Sequence, residues 1–175
     1  FFTGENDRRF FDDFRSELHD SDGLMIHSGS GEWIWRPLRN PKQQAVSSFV
    51  ERSIRGFGLM QRDRTFEHYQ DLALNYELRP SYWIEPQGDW GKGRVELVMI
   101  PTPDETNDNI VAYWVPERAP RAGDQLDLSY TLYWQMAPET VPTLARVVQT
   151  RRGHGFRPAD DSLRYQIDFA GGELD

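Results

Sequence analysis

An acidic loop between two strand-like runs carries the residue types best suited to chemistry. Residues 100–110 read IPTPDETNDNI and separate the apolar runs 95–100 and 110–115. Two prolines and several Asp, Asn and Thr residues are typical of a loop that ends a strand. Because polar loops on a rigid β scaffold commonly hold catalytic groups, the loop is a candidate site, and a solvated acidic turn is the alternative. Its three carboxylates are Asp104, Glu105 and Asp108.

A second polar cluster, residues 19–23 with the sequence HDSDG, has the composition of a turn. Its aspartates could serve only to satisfy the amides of that turn. A functional role requires Asp20 to point into a cleft with His19 beside it. The segment lacks the alternating ligands and the distal glutamate of a calcium loop. We predict no metal site and no cofactor.

Composition limits the classes of partner. The chain has 175 residues and a formal net charge of -8, which argues against nucleic acid or an anionic membrane surface as the main partner. No apolar run approaches the roughly 20 residues that a membrane-spanning helix needs. Cysteine is absent, which excludes disulfides, zinc thiolates and a thiol nucleophile. The start at Phe1-Phe2 without a methionine indicates a processed chain or a fragment.

Aromatic residues are abundant, with 6 Trp, 7 Tyr and 10 Phe. Aromatic faces stack on sugar rings, while Asp, Asn, Gln and Arg can hydrogen-bond to sugar hydroxyls. Trp33 and Trp35 share one face of a predicted strand, and Trp90 lies in a glycine-rich turn. For each of the three tryptophans, packing in a β core is the alternative to stacking on a ligand.

Many short strands with turn signals predict an all-β fold, a largely antiparallel β-sandwich with short helical decorations. A hairpin is expected across residues 28–31, and the spacing of apolar residues predicts a helix over residues 65–77. Residues 7–20 fit either a short helix or a packed irregular segment. The predicted strands span residues 24–26, 32–36, 46–49, 81–86, 94–100, 109–116, 125–134, 143–150 and 163–170.

Several segments fall in the order of one known family. Taken together they resemble the periplasmic glucans biosynthesis proteins of Gram-negative bacteria, the OpgG/OpgD (MdoG-like) family. The resemblance runs along nearly the whole chain and is weakest over residues 138–163. The segments are HDSD at 19–22, GEWIWRPL at 31–38, GFGL at 56–59, QRDR at 61–64, HYQD at 68–71, RP at 79–80, WGKG at 90–93 and DETNDNIV at 104–111.

The resemblance implies a large β-sandwich domain of galactose-mutarotase-like type, followed in the full protein by an immunoglobulin-like domain. Residues 1–175 are expected to be the C-terminal part of the large domain, without the immunoglobulin-like domain. The family is exported to the periplasm and is needed for osmoregulated periplasmic glucans, which have a β-1,2-linked glucose backbone with β-1,6 branches. A β-1,2-glucan is therefore the expected partner, and the sequence leaves a homodimer open.

Enzymatically characterised family members resemble inverting β-1,2-glucanases, and an endo-acting glycoside hydrolase is expected. In the family pattern Asp108 corresponds to the general acid and Asp20 to the general base. An inverting glycosidase needs one carboxylic acid to protonate the departing oxygen and one carboxylate to activate water from the opposite face. Glu105 is the candidate like charge that keeps Asp108 protonated. Tyr76 and Arg64 are candidates for orienting the sugar or a relay water.

One departure from the family opens a second hypothesis. Active members carry a longer covering element where this chain has the short polar loop 151–161, which contains Phe156 but no tryptophan. A non-hydrolytic glucan-binding factor that assists backbone synthesis or branching is therefore the alternative. A sugar mutarotase follows from the fold alone, and none of the four histidines has a recognisable mutarotase context.

Overall fold

The computed structural model describes residues 3–5, 15, 17–103, 105–136, 145–154 and 162–172. Over these residues the chain is almost entirely β, so the predicted all-β class is confirmed. The helical pieces are short, α1 (Phe66–Tyr69) and a 3-10 helix (Tyr76–Leu78). The strands are β1 Thr3–Glu5, β2 Glu17–His19, β3 Gly23–Ser28, β4 Trp33–Pro37, β5 Ala45–Glu51, β6 Ile54–Met60, β7 Ser81–Gln87, β8 Gly93–Met99, β9 Ile110–Pro116, β10 Ser129–Gln135, β11 Arg146–His154 and β12 Leu163–Ala170.

The chain divides into two compact units, residues 1–138 and residues 139–175. The first unit holds a five-stranded sheet in the order β10-β7-β6-β3-β4, a three-stranded sheet in the order β5-β8-β9, and the pair β1-β2. The second unit holds the antiparallel hairpin β11-β12. The pairings in all these sheets are antiparallel. The assignment of the whole chain to one large domain stays a prediction.

One apolar cluster joins the two larger sheets. Strand β8 alternates buried and half-buried residues, as expected for a strand with one face in a core. Its buried residues Val95, Leu97 and Met99 belong to the same cluster as Leu24 and Phe57 of the five-stranded sheet. The sheets therefore pack face to face, which confirms the sandwich-like arrangement.

The opposite face of the five-stranded sheet carries a second cluster. Met25, Met60 and Trp83 are buried there, and Trp33 and Trp35 pack against them. Glycines make room for two of the indole rings. A Cβ at Gly56 would lie 2.3 Å from Cζ2 of Trp83, and a Cβ at Gly23 would lie 1.9 Å from Cζ2 of Trp35. The rings can therefore lie close against the sheet only because no side chain projects at these positions.

The helix predicted over residues 65–77 is interrupted. Gln70 ends α1 with a φ of 54°, and Asn75 precedes the 3-10 helix with a φ of 48°. Between them, the Asp71 carboxylate accepts hydrogen bonds from the amides of Ala73 and Leu74, each at 2.8 Å. The Asp71 side chain thus accepts hydrogen bonds from two amides that would bond to main-chain oxygens in a continuous helix. The apolar spacing does not reveal this competition, so the predicted helix was too long.

Other boundaries differ in smaller ways. Strand β10 begins at Ser129 rather than at residue 125, and β11 continues to His154, so the first residues of the predicted polar loop 151–161 lie in a strand. Residues 155–161 of that loop lie outside the described residues. Most of the segment 7–20 also lies outside them, and its described end includes β2. The predicted hairpin across residues 28–31 is confirmed, with His27 opposite Trp33.

Truncation of Leu97 to Ala in the full-length protein should lower the free energy of unfolding by about 2–5 kcal/mol, because it leaves a cavity between the sheets. Leu97 has 0% exposure, whereas Leu72 has 84%. The matched control Leu72→Ala should cost less than about 0.5 kcal/mol. Urea denaturation followed by tryptophan fluorescence measures both, and equal losses in the two variants would contradict this account of the core.

Candidate active site

The acidic loop joins β8 to β9 and is anchored at its base by buried polar side chains. The amide of Ile100 donates to the main-chain oxygen of Asn109 at 2.8 Å. Asn40 donates from Nδ2 to the Thr102 main-chain oxygen at 2.8 Å and accepts from the Thr102 amide at 3.0 Å. Asn40, Thr102 and Asn109 are all buried. The loop therefore leaves and enters the sheet at fixed points; Asp104 lies outside the described residues.

The Glu105 carboxylate accepts hydrogen bonds from an arginine and from a tyrosine. Its Oε2 accepts hydrogen bonds from Arg15 Nη2 at 3.0 Å and from Tyr76 Oη at 3.2 Å. Arg15 also forms an ion pair and a hydrogen bond with the buried Asp71. One guanidinium thus links the turn after α1 to the acidic loop, and the Glu105 carboxylate has a defined position.

Asp20 lies in the neighbourhood of the same phenol. It follows β2 directly, and its Oδ1 is 3.5 Å from Nε of Arg79. Burial raises the pKa of Tyr76 above its usual range, and the negative charges of Glu105 and Asp20 raise it further. Burial, followed by Asp20, also raises the pKa of Tyr82. The Tyr76 phenol therefore remains a hydrogen-bond donor close to carboxylates from two distant parts of the chain.

Asp108 lies on the loop that carries Glu105, three residues further on, and its side chain is exposed. Asp20, Tyr76 and Glu105 are thus brought into one neighbourhood. Asp108 reaches the surface beside the anchored base of the loop, next to the buried Asn109.

Asp22, the second aspartate of the HDSD segment, accepts hydrogen bonds from main-chain amides. Asp22 Oδ2 accepts hydrogen bonds from the amides of Arg62 and Asp63, both at 3.1 Å. Burial raises the pKa of Asp22, against the opposing effect of the Arg62 charge. The Arg62 guanidinium lies 3.5 Å from the ring centroid of Trp35. Asp22 therefore ties the residues after β6 to the start of β3.

The Arg64 side chain donates hydrogen bonds to main-chain oxygens in the part of the chain that the structure describes. Its Nη1 donates to the carbonyl oxygens of Glu77 at 3.0 Å and of Arg79 at 2.9 Å. Burial lowers the pKa of Arg64. These contacts fix the end of the 3-10 helix that carries Tyr76. A direct contact of Arg64 with a sugar or a relay water stays a prediction.

The three candidate tryptophans have different surroundings. Trp33 is stacked on His27, with ring centroids 4.0 Å apart and planes 9° apart, and Trp35 lies beneath Arg62. Trp90 packs against the sandwich core and donates from Nε1 to the main-chain oxygen of Ser129 at 3.0 Å. Trp90 therefore has a packing role, whereas Trp33 and Trp35 lie on the opposite face of the five-stranded sheet.

Sequence reasoning did not find four residues that hold the site together, namely Asn40, Arg15, Asp71 and Arg79. Arg15 contacts Asp71 and Glu105, which are 56 and 90 positions away, and Asn40 contacts Thr102 at a separation of 62. Separations of this size leave no local pattern. The available signals were weak: Asp71 and Arg79 belong to the HYQD and RP segments on which the family resemblance was based.

Two further observations concern only the part of the chain that the structure describes. No group of three or more His, Asp or Glu side chains there is placed to hold a metal ion. None of the described helices has the length and apolar character needed to cross a bilayer.

Known proteins match nearly the whole of this chain. A family model described as "Periplasmic glucan biosynthesis protein, MdoG" matches residues 1–175. Glucans biosynthesis protein G of Ralstonia nicotianae is 56% identical over 181 residues, covering 99% of this chain and 36% of the relative. Glucans biosynthesis protein D of Stenotrophomonas maltophilia is 53% identical over 176 residues, covering 98% of this chain and 33% of the relative. The chain thus spans about a third of the length of these curated relatives.

Replacement of Asp71 by Asn should lower the free energy of unfolding at pH 7 by about 1–3 kcal/mol, because a charged partner of Arg15 is lost. Burial raises the pKa of Asp71, but the amides of Leu74 and Ala73 and the Arg15 charge lower it by more, so the pKa is lowered overall. The carboxylate therefore stabilises the fold fully above the unfolded pKa of about 4, and this contribution is lost as the pH falls through the lower folded value.

The difference between wild type and Asp71→Asn should accordingly be largest near pH 7 and shrink below about pH 4. Urea denaturation at several pH values measures it. The exposed Asp127, changed to Asn, is the control, and its replacement should change the free energy of unfolding at pH 7 by less than about 0.5 kcal/mol. A difference for Asp71→Asn that does not change with pH would contradict the role assigned to its charge.

Proposed function

This chain belongs to the family of periplasmic glucan biosynthesis proteins, and we propose that it carries the catalytic carboxylates of an anomer-inverting endo-β-1,2-glucanase. The family match over residues 1–175 supports the membership and the periplasmic location that the family description states. The reaction, the β-1,2-glucan substrate and the catalytic residues are the proposed part. Because the chain covers about a third of its relatives, other segments of the full-length protein would complete the site.

One observation carries the proposal: two carboxylate-bearing segments, distant in sequence, meet at Tyr76. Glu105 from the acidic loop accepts the Tyr76 hydroxyl, and the charge of Asp20 acts on the same phenol. Two carboxyl groups on opposite sides of a scissile bond are what inversion at an anomeric carbon requires. Asp20 and Asp108 lie on the two segments that meet.

Asp108 is proposed as the general acid that protonates the departing glycosidic oxygen. A general acid must hold its proton near neutral pH, and burial favours the neutral form of a carboxyl group. Asp108 is exposed in this structure, so the bound glucan would have to supply that burial.

Asp20 is proposed as the general base. Its Oδ1 lies 3.5 Å from Nε of Arg79, which holds the carboxyl group at the end of β2, and a general base accepts a proton from the attacking water. The activated water would attack the anomeric carbon from the face opposite to Asp108. Tyr76, which stays protonated and donates to Glu105, is suited to orient that water or a relay water between it and the base.

The substrate would also need aromatic faces. Trp33 and Trp35 lie on the face of the five-stranded sheet that is turned away from the sandwich core, and both are half-buried. They are the tryptophans proposed to contact glucose rings, through the parts of the indoles that His27 and Arg62 leave exposed. Trp90 is the weaker candidate because it packs in the core and its indole nitrogen is already hydrogen-bonded. A homodimer stays a prediction.

The exposure of Asp108 also favours a second candidate function. A non-hydrolytic glucan-binding factor would need the aromatic faces but no buried acid, and it could assist backbone synthesis or branching. A mutarotase is less well supported, because the buried His19 is hydrogen-bonded to the side chain of Gln61.

Replacement of Asp108 or Asp20 by Asn in the full-length protein should lower kcat on linear β-1,2-glucan by about 10²–10⁴-fold, because each change removes one proton-transfer step. Chromatography of released oligosaccharides measures the rate. Proton NMR of the first products should show the α-anomer at the new reducing end, as inversion of a β-linkage requires. The control is Asp89→Asn. The Asp89 side chain is exposed and accepts a hydrogen bond from the Gly91 amide, so this variant should keep the wild-type rate.

Products from wild type and from the control, but not from either active-site variant, would support the proposed mechanism. If the wild-type protein releases no oligosaccharide but binds the glucan, the non-hydrolytic factor replaces the glucanase. Release of the β-anomer would exclude inversion.

A further inference from the structure

Gln61 is a buried amide at the point where the segments of the candidate site meet. It follows β6 and is 1% exposed. Its Nε2 lies 3.0 Å from the main-chain oxygen of His19, 3.0 Å from that of Tyr76, and 2.9 Å from Oη of Tyr69. A single side-chain nitrogen therefore bridges three separate stretches of chain.

The contacts define which way the amide points. Tyr69 donates its hydroxyl hydrogen to the main-chain oxygen of Asp63 at 3.0 Å, so its oxygen is an acceptor for Gln61. Nε2 thus faces three oxygen acceptors. On the other side, Oε1 lies 2.9 Å from Nδ1 of His19, so that Nδ1 carries a hydrogen and donates it to Oε1. If the Gln61 amide were flipped, Oε1 would replace Nε2 beside these three oxygens and could donate no hydrogen bond to them.

The main chain of Gln61 is fixed as well. Its amide donates to Ser81 Oγ at 3.0 Å, and the Ser81 hydroxyl donates to the Gln61 main-chain oxygen at 3.3 Å. Ser81 is itself fully buried and begins β7. The Gln61 backbone is therefore held at the end of β6, a strand paired on both sides. If the segments of His19 and Tyr76 shift, the carboxamide cannot easily move with them.

The two main-chain oxygens belong to the proposed catalytic segments. His19 immediately precedes Asp20, and Tyr76 supplies the hydroxyl that binds Glu105. One carboxamide thus joins the backbone next to the proposed base to the backbone that carries the phenol. Loss of this bridge leaves two buried carbonyl groups without the donor that satisfies them.

We propose that Gln61 is the positioning residue that sets the separation of Asp20 from the Tyr76–Glu105 pair. Gln61 does not touch the reacting atoms in this scheme; it acts through the backbone of its two neighbours. The inference rests on the proposed glucanase, since it gives Gln61 its role in that reaction. Misplacement of a reacting group by about 1 Å can lower a rate by about 10²-fold, so a bridge of this kind has a measurable kinetic effect.

A purely structural role predicts a different result. If Gln61 only stabilised the core, a folded variant would bind and turn over glucan at the wild-type rate and would merely melt at a lower temperature. A positioning role predicts that kcat falls while KM is retained, because the groups that bind the glucan remain in place while the base and the phenol move apart.

The test uses Gln61→Glu in the full-length protein, with Gln43→Glu as the matched control at an exposed position. Glu has nearly the same shape, but it presents an oxygen where Nε2 donates. On linear β-1,2-glucan we expect kcat to fall about 10²-fold with KM unchanged. Hydrogen exchange read by mass spectrometry should become faster in peptides that cover residues 19–21 and 76–78, and neither change should occur in the control.

A folded Gln61→Glu variant with wild-type kcat, or with unchanged exchange at both segments, would overturn the proposal. If that variant does not fold, Gln61→Met decides, because it removes the Nε2 donor to His19 and Tyr76 and keeps an unbranched side chain of similar length: a lower kcat at constant KM supports positioning, and a wild-type kcat overturns it. If the wild-type protein releases no product, the glucanase proposal fails by itself. The exchange measurement then still decides whether Gln61 holds the two segments together.

Discussion

The packing of the five-stranded sheet against the three-stranded sheet determines where every candidate catalytic segment begins. Alternation along β8 places Val95, Leu97 and Met99 in the shared core, and the acidic loop follows as soon as that strand ends. In the other sheet Gly23 is paired with Met60. Residues just before β3 and just after β6 therefore lie at the same end of that sheet. Asp20 and the acidic loop of the candidate site therefore lie at strand ends that the sheets hold in place, whereas Tyr76 lies on the 3-10 helix.

Polar groups at this end of the sheet are held by bonds that run between distant segments. Glu105 and Asp71 share the Arg15 guanidinium, while the buried Asn40 closes the base of the acidic loop. Buried carboxylates and amides without such partners would destabilise the fold. The same bonds that satisfy these groups also orient them, so stability and pre-organisation of the proposed site have one physical origin. Gln61 is the most connected example, since a single carboxamide serves three segments.

The break in the predicted helix shows how a local rule gives way to a distant partner. The apolar spacing of residues 65–77 is helical, and both Tyr69 and Tyr76 are buried as that spacing suggests. Asp71 nevertheless takes the amides of the next turn and pairs with Arg15. The chain then restarts as a 3-10 helix that places Tyr76 beside Glu105. The contact of Asp71 with Arg15, which is 56 positions away, thus accompanies a break in the helix that the apolar spacing did not predict.

The sequence by itself determined the all-β class, most strand positions and the family, because alternation of polarity, turn residues and ordered motifs are local properties of a chain. It also predicted Asp20, Glu105 and Tyr76 as candidate site residues. Only the tertiary structure decided that these three share one neighbourhood, that Trp90 packs in the core and that Asp108 is exposed. The physical reason is that contacts such as Arg15 with Glu105 depend on how strands pair and sheets pack, which no window of neighbouring residues contains.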